Sequence, residues 1–285
     1  MIPKIIHQTW IHQTWNSNNL PEIFQKLYEK NKESNPDFTF KLWTDNESES
    51  GVKNFLEKNY PKLFNIYSKT KYNVQKSDIA RLAILHYYGG IYIDLDILLL
   101  KSLNNLLDYN KDTLFLGYEP KEQTKLIWKT DKYYCNAFIA CSPKNKLISN
   151  MIDFILNIYE KHDEEIFEHF NIFGTYIFKN IIDNSYADDY EIIETKKLYP
   201  INDIKLDTLD CAINDFNMMK TGKYYNESYM VHYWIHSGFE GSKILFSYKY
   251  NDNLNIHENI TEFFKLMYPN NKTILLDNKY IYTYD

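Results

Sequence analysis

The stretch from residue 73 to residue 96 constrains this chain more than any other. A helical pattern there ends in the doublet Gly89-Gly90, and Ile91, Tyr92 and Ile93 follow at once and lead into Asp94-Leu95-Asp96. Glycine accepts the left-handed backbone that closes a helix, so the spacing predicts a helix from about Asn73 to Tyr88 capped by Gly89. Gly90 then releases the chain into a short strand. Unbroken apolar residues describe a strand covered on both faces, which belongs to a sheet with helices on either side. The two aspartates therefore emerge at the carboxyl end of a buried strand, where open α/β sheets bind ligands.

The rest of the chain agrees with an α/β reading. Lys4-Ile5-Ile6 reads as a short buried strand, Pro21 opens an amphipathic helix running to about Lys32, and Phe38 to Trp43 alternates as a second strand. This β-α-β opening predicts parallel pairing. Two short helical patterns follow, around Val52 to Asn59 and Pro61 to Ser68. Further strands are expected at Thr113 to Gly117, Asn136 to Cys141 and Met230 to Tyr233. Helices are expected near Lys144 to Lys161, Thr175 to Ile182 and Glu258 to Met267. No linker rich in Gly, Ser or Pro divides the 285 residues, so a single domain over 1–285 is expected. One irregularity stands out: Ile6-His7-Gln8-Thr9-Trp10 recurs at once as Ile11-His12-Gln13-Thr14-Trp15. An odd shift exchanges the two faces of a strand, so one copy must be looped out or reshaped.

Charge narrows the function classes. A net charge of −6 opposes a nucleic-acid partner, because such binding rests on Lys and Arg neutralising phosphates. The 3 cysteines show no Cys-x-x-Cys spacing, which indicates neither a disulfide framework nor a zinc site. No apolar run approaches the ~20 residues that span a bilayer, and the N-terminus lacks an apolar leader. A cytoplasmic chain without a transmembrane segment is the expectation. The 26 Tyr and 17 Phe offer stacking surfaces for sugars or bases, or reflect codon usage alone.

Asp94 and Asp96, two apart at a strand end, can share one hard cation; without a metal or a strongly basic partner, two such carboxylates repel and one pKa rises. Asp78 and Arg81, three apart on a helix, face the same side. Taken alone they are an ordinary helical ion pair, but the Gly89-Gly90 return brings their helix beside the Asp94 strand.

These residues together resemble a known family. Ser77-Asp78-x-x-Arg81, Tyr88-Gly89-Gly90-Ile91-Tyr92-x-Asp94-x-Asp96 and, upstream, Ile2-Pro3-Lys4-Ile5-Ile6-His7-Gln8-Thr9-Trp10 are similar to the DXD sugar-transferase family of glycosyltransferases. That family includes yeast initiating α-1,6-mannosyltransferases and bacterial polysaccharide transferases, with the clostridial toxin glucosyltransferases more distant. The resemblance covers residue 2 to about residue 103.

It implies a GT-A fold: a Rossmann-like nucleotide-binding mixed sheet flanked by helices. About 1–110 would form the half that binds nucleotide-sugar and metal, and about 111–285 an acceptor half with a C-terminal lid. The implied reaction moves a sugar from a UDP- or GDP-sugar to a glycan or other hydroxyl acceptor, with retention, using Mn²⁺ or Mg²⁺. Carried across, Asp96 binds the metal, Asp94 reaches the metal and the donor, and Asp78 and Arg81 hold the transferred sugar. Tyr92 and Gly90 border the nucleotide, and His7, Gln8, Thr9 and Trp10 form the loop around the base, the first copy being favoured by its spacing from Pro3 to Ile6 and the second, His12 to Trp15, allowed by its closeness to Leu20-Pro21-Glu22. His232 is the implied third ligand with His236 in reserve, and Asn136 lies near the reacting sugar. Glu119 is a further carboxylate that can approach the reacting face. The segment Lys121 to Tyr134 reads as an acceptor loop or a solvated one.

Two other readings stay open. An apolar strand ending in Asp-x-Asp also opens haloacid dehalogenase-type phosphohydrolases, although Leu98 stands where those enzymes place Thr or Val. A catalytically inactive glycan-binding scaffold of the same fold is the other. Oligomeric state, donor sugar and acceptor are not legible in the sequence.

Overall fold

Residues 1–11, 20–45, 51–161, 173–203, 209–235 and 242–267 are described by a computed structural model of the chain. The opening unit has the parallel form expected: β1 (Ile5–Trp10), α1 (Glu22–Ser34) and β2 (Thr39–Thr44), with Ile5 opposite Thr39 and Trp10 opposite Thr44. The helices α2 (Val52–Asn59) and α3 (Pro61–Lys69) precede α4 (Asn73–Tyr88), which turns into β3 (Gly90–Ile93). Strand β3 runs parallel to β1 with His7 opposite Tyr92.

Both glycines of the doublet are required. Gly89 has φ 62°, and a Cβ there would lie 2.6 Å from Pro143 Cδ and 2.9 Å from the Cys141 carbonyl. Gly90 has φ 93°, and its Cβ would fall 2.6 Å from the Ile5 carbonyl oxygen. The helix can thus fold back directly beside β1.

The sheet continues through β5 (Leu114–Tyr118), β6 (Tyr134–Cys141) and β7 (Tyr190–Ile193), in the order β2-β1-β3-β6-β5-β7. Strand β6 is antiparallel to both of its neighbours, while β5 and β7 are parallel, so the sheet is mixed. Its two faces separate cleanly. Ile6, Trp10, Ile91 and Ile93 pack with α1 and with α11 (Ile256–Met267). Tyr92 and Ile139 pack with α2, α3, α4, α6 (Lys146–Lys161) and α7 (Thr175–Ile182). The alternation along β1 and β3 thereby assigns each side chain its layer.

A second sheet is small but decisive for the site. Strand β4 (Ile97–Leu99) pairs antiparallel with β8 (Met230–His232), placing Ile97 opposite His232. Asn31, fully buried on α1, clamps β4 by donating to the Ile97 carbonyl and accepting from Leu99 N, both at 2.7 Å. The chain just beyond Asp96 is thus fixed from both sides.

Several elements escape periodicity because they are short: β4, β7 and α8 (Thr195–Leu198). The segment expected as a loop after Glu119 begins as a helix, α5 (Lys121–Ile127), with Pro120 before it. The longer α9 (Leu209–Thr221) and the short α10 (Ser242–Ser247) complete the helices among the described residues. The first IHQTW copy forms β1, and residues 12–19, which hold most of the second, lie outside the described residues.

Candidate active site

A cavity of about 270 Å³ opens at the carboxyl ends of β1 and β3. Its lining brings together Thr9, Trp10, Arg81, Tyr92, Asp94, Asp96, Asn136 and His232, which lie up to 223 positions apart in the chain. Helix α4 is buried nearly all round at this depth, so Asp78 and Arg81 are not a surface ion pair.

Arg81 is the hub on the α4 side. Nη1 donates to the Asn136 carbonyl at 2.7 Å, and Nη2 lies 3.3 Å from both Asp78 Oδ1 and Asp94 Oδ1. Its guanidinium also sits 4.5 Å from the Tyr92 ring centre. The Tyr92 hydroxyl donates to Asp94 Oδ1 at 2.9 Å, and it meets Thr9 Oγ1 at the same distance. Thr9 in turn meets the Ser77 hydroxyl at 2.5 Å. The sequence contains a single arginine among its 32 basic residues, and it stands here. Composition offered that signal, and pattern reading passes over it. The only side chain that presents a planar fork of five donors is spent on this cluster.

Asp78 lies behind the cavity wall. Asn136 Nδ2 donates to its Oδ1 at 3.0 Å, and Gly174, at φ 72°, closes over it so that a Cβ there would come within 3.1 Å of Oδ2. Burial pushes the Asp78 carboxyl up to about 6; the Arg81 guanidinium opposes this and the Asp94 carboxylate adds to it.

Asp96 is held from the opposite flank. His232 Nε2 lies 3.0 Å from its Oδ1, and the Ile235 backbone N–H donates to Oδ2 at 2.7 Å. Trp234 makes that second bond possible: its left-handed φ of 54° turns the chain after β8, and its indole N–H is anchored on the Ile201 carbonyl. Burial works against protonation of His232, but the adjacent Asp96 carboxylate outweighs it and raises the imidazole pKa. Although Asp94 and Asp96 are secured by different elements, one ligand atom from each, with one from His232, all lie within 4.8 Å of one another.

This donor set fits a divalent cation. Carboxylate oxygens suit Mg²⁺ and Mn²⁺, and an imidazole nitrogen favours the softer Mn²⁺. His232 Nδ1 is buried with no hydrogen-bond partner among the described residues. The lining carries the carboxylates of Asp94, Asp96 and Glu119 against the guanidinium of Arg81, whose charge is already shared with Asp78 and Asp94.

His7, Gln8 and Gly90 do not reach the cavity. The Trp43 indole N–H donates to His7 Nδ1 at 3.1 Å, leaving Nε2 to carry the proton donated to the Gly89 carbonyl at 3.1 Å. Burial holds the His7 pKa at about 3, so it is the neutral tautomer. Gln8 Nε2 donates to the Asp94 carbonyl at 3.2 Å and supports the aspartate loop from below. Trp10 is buried against Phe24 in edge-to-face contact and shows part of its ring to the cavity. His236 lies outside the described residues. Glu119, Cys135, Trp234 and Ile235 also line the cavity.

Residues 21–112 match the family described as the glycosyltransferase sugar-binding region containing a DXD motif. An uncharacterized glycosyltransferase of Acanthamoeba polyphaga mimivirus is 31% identical over 207 residues, which cover 71% of this chain and 74% of that protein. The inositol phosphoceramide mannosyltransferase 3 of Schizosaccharomyces pombe is 37% identical over 108 residues, 38% of this chain. That match spans 28% of the yeast protein's length. Among solved structures, the PaToxG glycosyltransferase is similar with a TM-score of 0.48 and 23% identity, covering 64% of this chain and 69% of its own.

Proposed function

This chain belongs to the family of glycosyltransferases whose sugar-binding region contains a DXD motif, and we propose that it transfers a hexosyl group, mannosyl first among them, from a nucleotide-sugar to a hydroxyl acceptor, with a divalent metal and with retention. The mannosyl reading rests on the yeast relative's activity. Family membership sets aside the phosphohydrolase alternative.

The observation that carries the metal dependence is the Asp94–Asp96–His232 cluster inside a cavity whose one guanidinium is already ion-paired. A nucleoside diphosphate brought to that lining meets carboxylates before it meets free positive charge. A Mn²⁺ held by these three residues would supply the missing charge and stabilise the diphosphate as it leaves. The protein's own groups do the rest. Arg81 and Asn136 bracket the place beside Asp94 where the transferred sugar fits, and Asp78, locked by both, keeps them in position. Thr9, Trp10 and the apolar side chains of Phe24 and Val74 line the β1 end, which suits a base. Residues 1 to about 110 then form the donor half, and the remainder of a single domain the acceptor half.

The test is nucleoside diphosphate release from GDP-mannose and UDP-glucose with Mn²⁺, Mg²⁺ or chelator. Metal-dependent release with an α-configured product from an α-linked donor is expected. No release and no metal-dependent donor binding with any common sugar nucleotide would overturn the reading and favour an inactive scaffold.

A further inference from the structure

Glu119 lines the same cavity as Trp10, and it is buried, with 7% of its surface exposed. Both donors that reach its carboxylate go to the same oxygen: Gln123 Nε2 at 3.1 Å and Trp128 Nε1 at 3.0 Å, each to Oε2. Gln123 is itself fixed, accepting from Asp203 N at 2.9 Å, and the Trp128 ring stacks on Tyr133 at 4.1 Å and 10°. Oε1 has no hydrogen bond among the described residues. A buried carboxylate serving structure alone would satisfy both oxygens, because each unmet lone pair forfeits hydration. One oxygen clamped and the other open is the arrangement of a group held for a ligand.

Strand order tells which ligand. Across the sheet the site passes from Thr9 and Trp10 on β1, to Asp94 after β3, to Asn136 on β6, to Glu119 after β5. Neighbouring strands are roughly 4.8 Å apart, so β5 lies about 10 Å from β3, with β6 between them. On the donor reading of the preceding subsection, on which this step rests, base, diphosphate and transferred sugar occupy the first three columns. The fourth is left for the group that attacks. A carboxylate there repels anions and attracts hydroxyl donors.

We infer that Glu119 binds the acceptor, its Oε1 accepting a hydrogen bond from a hydroxyl of a neutral sugar or cyclitol ring. Burial pushes the Glu119 carboxyl up to about 7 and Asp203 adds to this, while the hydrogen bonds from Trp128 and Gln123 and the charge of His232 oppose it.

The experiment uses the full chain with Mg²⁺ and GDP or UDP. Saturation-transfer NMR reads binding of two probes, methyl α-mannopyranoside and myo-inositol, to wild type, Glu119→Leu and Glu119→Gln. Glu119→Gln keeps an oxygen for Trp128 and guards against a folding defect in the leucine variant. Wild type should bind at least one probe, with about tenfold weaker binding in Glu119→Leu and a smaller loss in Glu119→Gln. Hydrolysis of the sugar nucleotide in the absence of acceptor is followed in the same three proteins. Equal probe binding in all three proteins, no probe binding by wild type, or loss of hydrolysis together with probe binding would each overturn the assignment. Absence of hydrolysis in wild type would instead strike at the donor reading, and the NMR arm would still decide the role of Glu119.

Discussion

Replacing His7 with leucine separates a support role from contact with the donor. The substitution removes the acceptor of the Trp43 indole N–H and the donor to the Gly89 carbonyl, leaving two buried polar groups unmet. Each costs about 1–3 kcal/mol, so a loss of ~3 kcal/mol is expected at pH 7.5. The loss should shrink in acid. Burial, reinforced by Lys41 and only partly opposed by the Gly89 carbonyl, holds the folded His7 pKa at about 3, against 6.5 when unfolded. Between those values the unfolded chain takes up a proton that the folded chain refuses. Stability contributed above pH 6.5 is therefore lost progressively as the pH falls toward 3. At pH 5 this amounts to ~2 kcal/mol, because 1.4 kcal/mol corresponds to roughly one pH unit. The leucine variant has no such term, so the gap from wild type should narrow from ~3 to ~1 kcal/mol. Urea unfolding of both proteins at pH 7.5 and 5.0 measures it, and acid effects from His86 and His257 cancel in the difference. A gap that stays constant with pH would refute the buried neutral histidine. A tenfold loss of GDP or UDP affinity with unchanged stability would refute the support role itself.

Asp96→Asn should weaken Mn²⁺ by more than the roughly 10–100-fold that loss of an outer partner costs, abolishing the metal-dependent thermal shift with a nucleoside diphosphate. Arg81→Lys keeps the charge but not the fork that spans Asn136, Asp78 and Asp94; roughly 1–3 kcal/mol of stability should be lost, with transfer suppressed further than donor binding. Gly90→Ala places a Cβ 2.6 Å from the Ile5 carbonyl at a left-handed φ, so urea unfolding should show a loss of at least about 1–3 kcal/mol.

What is legible in the sequence follows from how local each signal is. The span from α4 to Asp96 was legible because helix period, glycine cap and apolar strand are all short-range. The late histidine is legible as a ligand only through the resemblance, since pairing of β8 with β4 joins residues more than a hundred positions apart and three-residue strands have no measurable alternation. Asp94 and Asp96 were expected to point together from one strand. They converge instead from two supports, because the strand ends at Ile93 and the turn behind it frees each side chain to follow its own partners. For His7 the deciding fact was the face: with Ile6 and Trp10 on one side of β1, His7 and Thr9 share the other, yet only Thr9 is far enough along to reach the cavity. Glu119 is legible in the sequence as a carboxylate that follows a strand, and its place beside the other site residues comes from the strand order.

The placement of the single arginine bears on the proposed need for a cation from outside. A lysine could neutralise one carboxylate here, but its ammonium cannot bridge Asp78, Asp94 and the Asn136 carbonyl while lying against the Tyr92 ring. Arg81 accomplishes this and thereby exhausts its charge on groups of the protein itself. Among the described residues, those hydrogen-bonded to the Asp96 side chain are His232 and the Ile235 backbone N–H, and neither supplies a fixed positive charge. On the proposed function, anionic donor and lining are therefore mismatched until a divalent ion joins them. On the proposed reading, donor affinity and metal affinity are thermodynamically coupled, each strengthening the other by the same factor.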